Sequence, residues 1–281
     1  MYLTIAVLCS VAVSVLLKIL RQKKMDIRQT IVAGYPVAFL LTWLLLKPDV
    51  GAIHALDSAW GIIIALGILL PAVFIILGRA IEAVGMVATD ASQRLSLIIP
   101  IIAAFLLFGE VLTDTRVLGL VLGFLALGAL VYRPQQTDTP KQTKYTPLWL
   151  FGVWAGYGII DILFKQVAKQ GTAFPLTLFV SFGVAGLLLL VYLLVTRVRW
   201  QADALVAGLL LGALNMGNIY AYVRAHQVLS DSPSIVFTGM NVGVIAVATL
   251  IGVGAFKERL NRINLVGLLL AVYCVGVLFL A

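Results

Sequence analysis

The sequence predicts an all-α integral membrane protein with ten transmembrane helices in two inverted five-helix repeats. Three observations lead there. First, 62% of the 281 residues are hydrophobic and 11% are charged, against about 45–50% and about 25% in soluble domains; the mean hydropathy is +1.09. Second, the apolar residues gather in runs near the length of a membrane span, about 20 residues. Third, the two halves of the chain repeat each other's charged positions. Such a composition excludes a soluble enzyme, a disordered chain and a nucleic-acid-binding domain, because too few charges remain to build a water-facing surface.

The runs follow in order. Leu3–Leu20 is followed, not preceded, by basic residues, so it reads as a retained helix rather than a secretory signal. Thr30–Leu46, Ala59–Gly78, Met86–Phe108 and Val117–Tyr132 complete the first half. The second half holds Pro147–Lys165, Phe174–Val195, Ala204–Tyr222, Pro233–Phe256 and Ile263–Leu280. Continuous apolarity makes these helices; a transmembrane strand would be shorter and alternating. The polar stretch RPQQTDTPKQTKYTP separates a first repeat over 1–133 from a second over 147–281, with 134–146 as linker.

The halves align in register. An offset of 148 pairs Phe108 with Phe256, Glu110 with Glu258 and Gly119 with Gly267. An offset of 147 pairs Lys18 with Lys165, and one of 145 pairs Gly67 with Gly212 and Arg79 with Arg224. Five spans per repeat insert the second half upside down, the inverted plan of many secondary transporters.

The five-plus-five plan, the FGEVL and FKERL junctions, GIIDILFKQ and MNVGVIAVATLIGVGAFKERL resemble the drug/metabolite transporter superfamily, in particular its EamA-type members. The resemblance covers essentially the whole chain. It implies a ten-helix secondary transporter of small metabolites, often an exporter, with both termini in the cytoplasm. The basic residues place the termini oppositely. Loops after odd-numbered spans hold thirteen Lys and Arg, and loops after even-numbered spans hold five; the positive-inside rule then puts both termini outside.

Ionisable groups deep in a bilayer are costly and mark function by default. Arg94 lies eight residues into its expected span, roughly 12 Å deep at ~1.5 Å per residue. Asp90 precedes it by one turn, Gln93 and Ser96 flank it, and Pro100 predicts a kink. A guanidinium there grips a carboxylate or phosphate bidentately; the alternative is an Asp90–Arg94 pair that neutralises itself. Asn241 falls opposite Arg94 in the repeat alignment, and Asn215 and Asn218 lie on one face near midplane with Tyr222 a turn further. These amides are either substrate contacts or helix–helix glue.

On the sixth span, Asp161 and Lys165 stand at i, i+4, with Trp154 and Tyr157 on the preceding turns. An intramembrane carboxyl beside a movable cation is material for proton coupling; snorkelling of Lys165 and Lys18 to the headgroups is the alternative. Glu110 and Glu258 read as helix caps and loop ion pairs. His226 and His54 read as loop residues, so no metal cluster is expected. Cys9 and Cys274 read as small apolar side chains. Gly152-x3-Gly156, Gly208-x3-Gly212 and Gly239-x3-Gly243 mark close helix contacts.

The expectation is a secondary transporter in the inner membrane. It exports or exchanges a small polar metabolite with an anionic or zwitterionic group, such as an amino acid. No cofactor and no GxxxxGK[ST] nucleotide loop is expected, and the chain acts as a monomer or homodimer. Nucleosides, nucleobases or drug-like cations are the alternative cargo, and a membrane-embedded lipid-modifying enzyme is the alternative class.

Overall fold

The computed structural model describes residues 1–23, 25–51, 59–111, 113–131, 145–256 and 261–280. They form ten α-helices: α1 Tyr2–Gln22, α2 Ile27–Leu41, α3 Trp60–Leu95, α4 Ile98–Leu106, α5 Asp114–Val131, α6 Thr146–Lys169, α7 Phe174–Val195, α8 Ala202–Val228, α9 Pro233–Phe256 and α10 Arg262–Leu280. A π-turn over Thr42–Leu46 prolongs α2. Among the described residues six helices are long and apolar enough to cross a bilayer: Ile27–Leu46, Trp60–Ile81, Pro147–Lys169, Phe174–Val195, Ala202–Val228 and Pro233–Ala255. The linker assigned to 134–146 lies, up to residue 144, outside the described residues, as do Glu258 and His54.

Two boundaries differ from the sequence reading. The loop expected between Gly78 and Met86 is helix, and α3 runs on through 36 residues to Leu95. Residues 79–95 contain no proline, so nothing stops helix propagation there. The break comes at Ser96–Leu97, inside the span expected over Met86–Phe108. Pro100 causes it: its ring excludes the carbonyl of Ser96 and it has no N–H to donate. Proline is tolerated three residues into the new helix, where N–H groups lack partners in any case. The second difference is at α8, which runs six residues past Tyr222 and carries Arg224 and His226 inside the helix.

The helices pack in a definite pattern. α1 lies on α8 and α9, and α6 lies on α3, α4 and α8; α2 and α3 both pack on α7, α2 also on α8, and α5 against α10. The central core is built from Tyr35, Phe164, Leu178, Phe182, Tyr222 and Phe237 with their aliphatic neighbours. Outward faces are rich in exposed Leu, Ile and Val, among them Leu187, Leu209, Leu269 and Val272. Such a surface suits hydrocarbon and not water, and it makes this a membrane protein. Trp43, Trp60 and Trp200 are exposed near helix ends, as interfacial tryptophans are.

Glycines of the small-residue motifs do stand at close helix contacts. A Cβ on Gly156 would stand 2.5 Å from Val73 of α3, and one on Gly243 would stand 3.0 Å from Val7 of α1. At Gly212 it would strike the carbonyl and Cα of Gly34, so α2 and α8 touch backbone to backbone.

Candidate functional site

Membrane helices bring their polar groups together only where neighbouring helices supply partners, so each site residue is located by what it bonds. Asp161 lies near the middle of α6. It does not pair with Lys165. Its Oδ1 accepts a hydrogen bond from the Tyr222 hydroxyl of α8 at 3.0 Å. Tyr222 is buried and stands edge-on to Phe164, which fixes the ring.

Lys165, 2% exposed, turns toward the end of α8. Its Nζ donates to the carbonyl of Ser230 at 2.8 Å and to that of His226 at 3.5 Å. The His226 carbonyl, in the last turn of α8, has no partner within the helix and carries its negative dipole end, and the Ser230 carbonyl lies just beyond it in the turn, so one ammonium serves both. That competitor explains why the i, i+4 partner is passed over. The ammonium is thus bonded to the turn between α8 and α9. Of Lys18 only the backbone is described.

His226, read from sequence as a loop residue, is instead buried in the last turn of α8, 1% exposed. Its ring lies between Tyr222, at 4.8 Å between centroids, and Phe237 of α9, at 4.7 Å. Neither ring nitrogen has a hydrogen-bond partner among the described residues.

A second buried charge group pins the turn between α8 and α9. Gly109, with φ +69°, turns the chain after α4 and presents Glu110. The carboxylate accepts from the Ser234 N–H at 2.9 Å and from its hydroxyl at 2.5 Å, at the start of α9, where negative charge is favoured. Arg116 of α5 reaches Glu110 at 3.3 Å and donates to the Ser232 hydroxyl at 2.7 Å. The expected helix-cap role of Glu110 is what the structure contains, although the cap belongs to a helix more than a hundred residues away.

Arg94 and Gln93 lie half-buried in the last turn of α3. The side chain of Asp90 lies outside the described residues, so its expected bond to Arg94 does too. Around this turn, Ser92 donates to the Leu150 carbonyl at 2.8 Å and Trp154 Nε1 to the Leu95 carbonyl at 3.1 Å. The Leu95 carbonyl is free to accept because the helix breaks: the Ile99 N–H bonds to Ser96 instead. Trp154 therefore ties α6 to the chain break beside Arg94, a role that the spacing to Asp161 did not suggest. Tyr157 packs against the central core.

Asn241 donates to the Phe237 carbonyl of its own helix at 3.1 Å. Asn218 Oδ1 is buried without a partner among the described residues. Asn215 lines a cavity of about 20 Å³ with Tyr35, Gly34, Gly212 and Phe74, room for a single water. A larger groove of about 520 Å³ runs between α1, α8, α9 and α10, lined by Tyr2, Val7, Leu8, Val228, Gly243 and Val247 among others. It is apolar, and Arg94, Asn241 and Asn215 do not line it. Among the described residues no three His, Cys, Asp or Glu side chains stand together as a metal site.

No family model matches the chain. An uncharacterized protein of Haemophilus influenzae (strain ATCC 51907 / DSM 11121 / KW20 / Rd) is 47% identical over 280 residues, covering 97% of this chain and 96% of its own. One solved crystal structure has the same fold, with a TM-score of 0.75 over 99% of this chain and 95% of its own, at 12% identity.

Proposed function

This chain belongs to one family with the Haemophilus influenzae protein, and from that premise we propose that it is a secondary active transporter of the drug/metabolite type. It is built as two inverted five-helix repeats and moves a small polar metabolite with an anionic or zwitterionic group across the inner membrane. The observation that carries this reading is the carboxyl of Asp161, held by Tyr222 from another helix near the middle of a membrane-long apolar helix. A passive scaffold has no use for such a group, and intramembrane carboxyls mark ion and proton paths.

The repeat reading draws support from the helix pairings. α1 meets α8 and α9 as α6 meets α3 and α4; α2 meets α8 as α7 meets α3; α2–α7 and α5–α10 map onto themselves. Exchanging the first five helices for the last five leaves these pairings in place. In this plan the two halves rock about a central site, Arg94 receives the anionic end of the cargo, and Asn215, Asn218 and Asn241 supply neutral contacts. Trp154 and Tyr157 wall it on the α6 side. Asp161 couples the cycle to protons. The charge count puts both termini, and the turn between α8 and α9, outside.

Proteoliposomes holding the purified chain test this. A ligand of the native state raises its melting temperature by mass action, so a panel of amino acids, nucleosides and organic acids sorts the cargo class. With a hit in hand, Asp161→Asn abolishes accumulation driven by a pH gradient while binding or exchange persists. Unchanged gradient-driven uptake by that variant overturns the proton coupling. Failure of every polar metabolite, with lipid turnover by the same protein, favours an enzyme instead.

A further inference from the structure

Asp161 is the inner end of a line of polar side chains that runs to one face of the bundle. Tyr222 bonds to it. His226 follows Tyr222 by four residues, on the same face of α8, and meets its ring edge-on. Beyond His226 lies the turn into α9, where Ser230 and Asp231 are exposed. Toward the other face the line stops: residues 146–160 of α6 contain no Asp, Glu, His or Lys.

His226 stands out within this line. The large majority of buried side-chain polar atoms are hydrogen-bonded, yet both of its ring nitrogens lack partners among the described residues. Its setting is two aromatic rings, from Tyr222 and Phe237. Nothing in that packing needs an imidazole; a phenylalanine or leucine would fill the space at no polar cost. An imidazole differs from them in accepting a proton on one nitrogen and releasing one from the other.

We propose that Tyr222 and His226 conduct protons between Asp161 and the membrane face at the turn between α8 and α9, with His226 as the second proton-carrying station. This rests on the proton-coupled reading of Asp161. In the outward step the Tyr222 hydroxyl, whose hydrogen rests on Asp161, turns to the His226 ring, which is unpartnered until then, and gives it the phenolic proton as the Asp161 carboxylic acid passes its own to the Tyr222 oxygen. The net result is a carboxylate, an unchanged tyrosine and an imidazolium. The imidazolium then releases its proton at the turn, and the inward step is the reverse.

The groups around His226 are accounted for on each neighbouring helix. From α6 come Asp161, through Tyr222, and Lys165, whose ammonium is engaged with the His226 and Ser230 carbonyls. From α9 comes the apolar Phe237. On α8 itself Arg224 points away, bonded to Gln227 and 5.5 Å over the Tyr2 ring of α1. Glu110, Asp231 and Lys169 are the charged groups that act on Lys165 itself.

The test follows the carboxyl of Asp161 directly, with protons as the probe. Infrared spectra of the full chain in proteoliposomes are recorded after a pH jump, and the Asp161 band is identified by its loss in Asp161→Asn. In His226→Gln the band still titrates, but it relaxes about a hundredfold more slowly, the scale of a lost acid–base group, and added imidazole restores the rate. Tyr222→Phe, which keeps the ring, slows the same step and decides the matter if the histidine variant fails to fold. A titrating Asp161 band with unchanged rates in both variants overturns the proton path and leaves Asp161 coupling intact. No titrating band at all overturns both.

Discussion

The two ends of α8 are anchored by different chemistry. At its start the anchors are amides. Gln29 of α2, 1% exposed, donates to the Arg199 carbonyl and accepts from the Gln201 N–H, both at 2.7 Å. Gln201 in turn accepts from the Asp26 N–H at 3.2 Å. At its end the anchors are buried charges: Lys165 on the last carbonyls, and Glu110 with Arg116 on the adjoining turn. A neutral amide loses little on leaving water if its bonds are remade, whereas an ion pays heavily even when paired. The buried charged anchors are concentrated at one end of the helix, beside Asp161, Tyr222 and His226. The neutral end is a joint; the charged end is the one on which the proposed proton path opens.

Variants at the two ends sharpen this contrast. The largest loss is expected from Glu110→Ala, which strands Arg116 and the first turn of α9; removing one partner of a buried pair costs about 3–5 kcal/mol, read as a drop in the unfolding midpoint in detergent. Lys165→Met keeps the stem and removes the ammonium, so two carbonyls lose their donor at about 2 kcal/mol. Gln29→Leu at the neutral end costs about 1 kcal/mol. A Gln29 variant as damaging as the Glu110 variant would abolish the distinction.

The smallest effect is electrostatic and lies at the neutral end's rim. Burial pushes the Asp26 carboxyl up, but bonds from the Arg28 side chain and backbone N–H outweigh it and hold the carboxyl below its usual range. A carboxyl lowered in the folded state contributes stability above its unfolded pKa, about 3.9, and loses it as pH falls through the lower folded value. Asp26→Asn should therefore flatten the acid limb of a melting-temperature profile slightly and leave neutral pH almost unchanged. The pair is partly exposed, with Arg28 at 41%, so salt should screen the difference.

What could be read from sequence was what depends on short spacing. Gly152, Gly156, Gly208, Gly212 and Gly243 announced close contacts because small residues four apart share a helix face. Asp161 announced itself by its place in an apolar run. Its true partner did not, because Tyr222 is 61 residues away and sequence spacing says nothing of which helices touch. The i, i+4 rule suggested Lys165 instead, and it gave way because helix-end carbonyls from α8 were a better partner for the ammonium. His226 reads as a loop residue for a simpler reason: the apolar run ends at Tyr222, whereas AYVRAHQV continues the helix. Charge at residues 79–95 likewise concealed the continuity of α3.

The bare contact of Gly34 with Gly212 has a mechanical consequence. Where side chains interdigitate, two helices slip by exchanging rotamers, like loose gearing. Two backbones touching directly leave no such play, so α2 and α8 form a single strut. Any large displacement must be taken up elsewhere, and the natural hinge is the interrupted stretch at Ser96–Leu97, where the helical ladder of hydrogen bonds is already open.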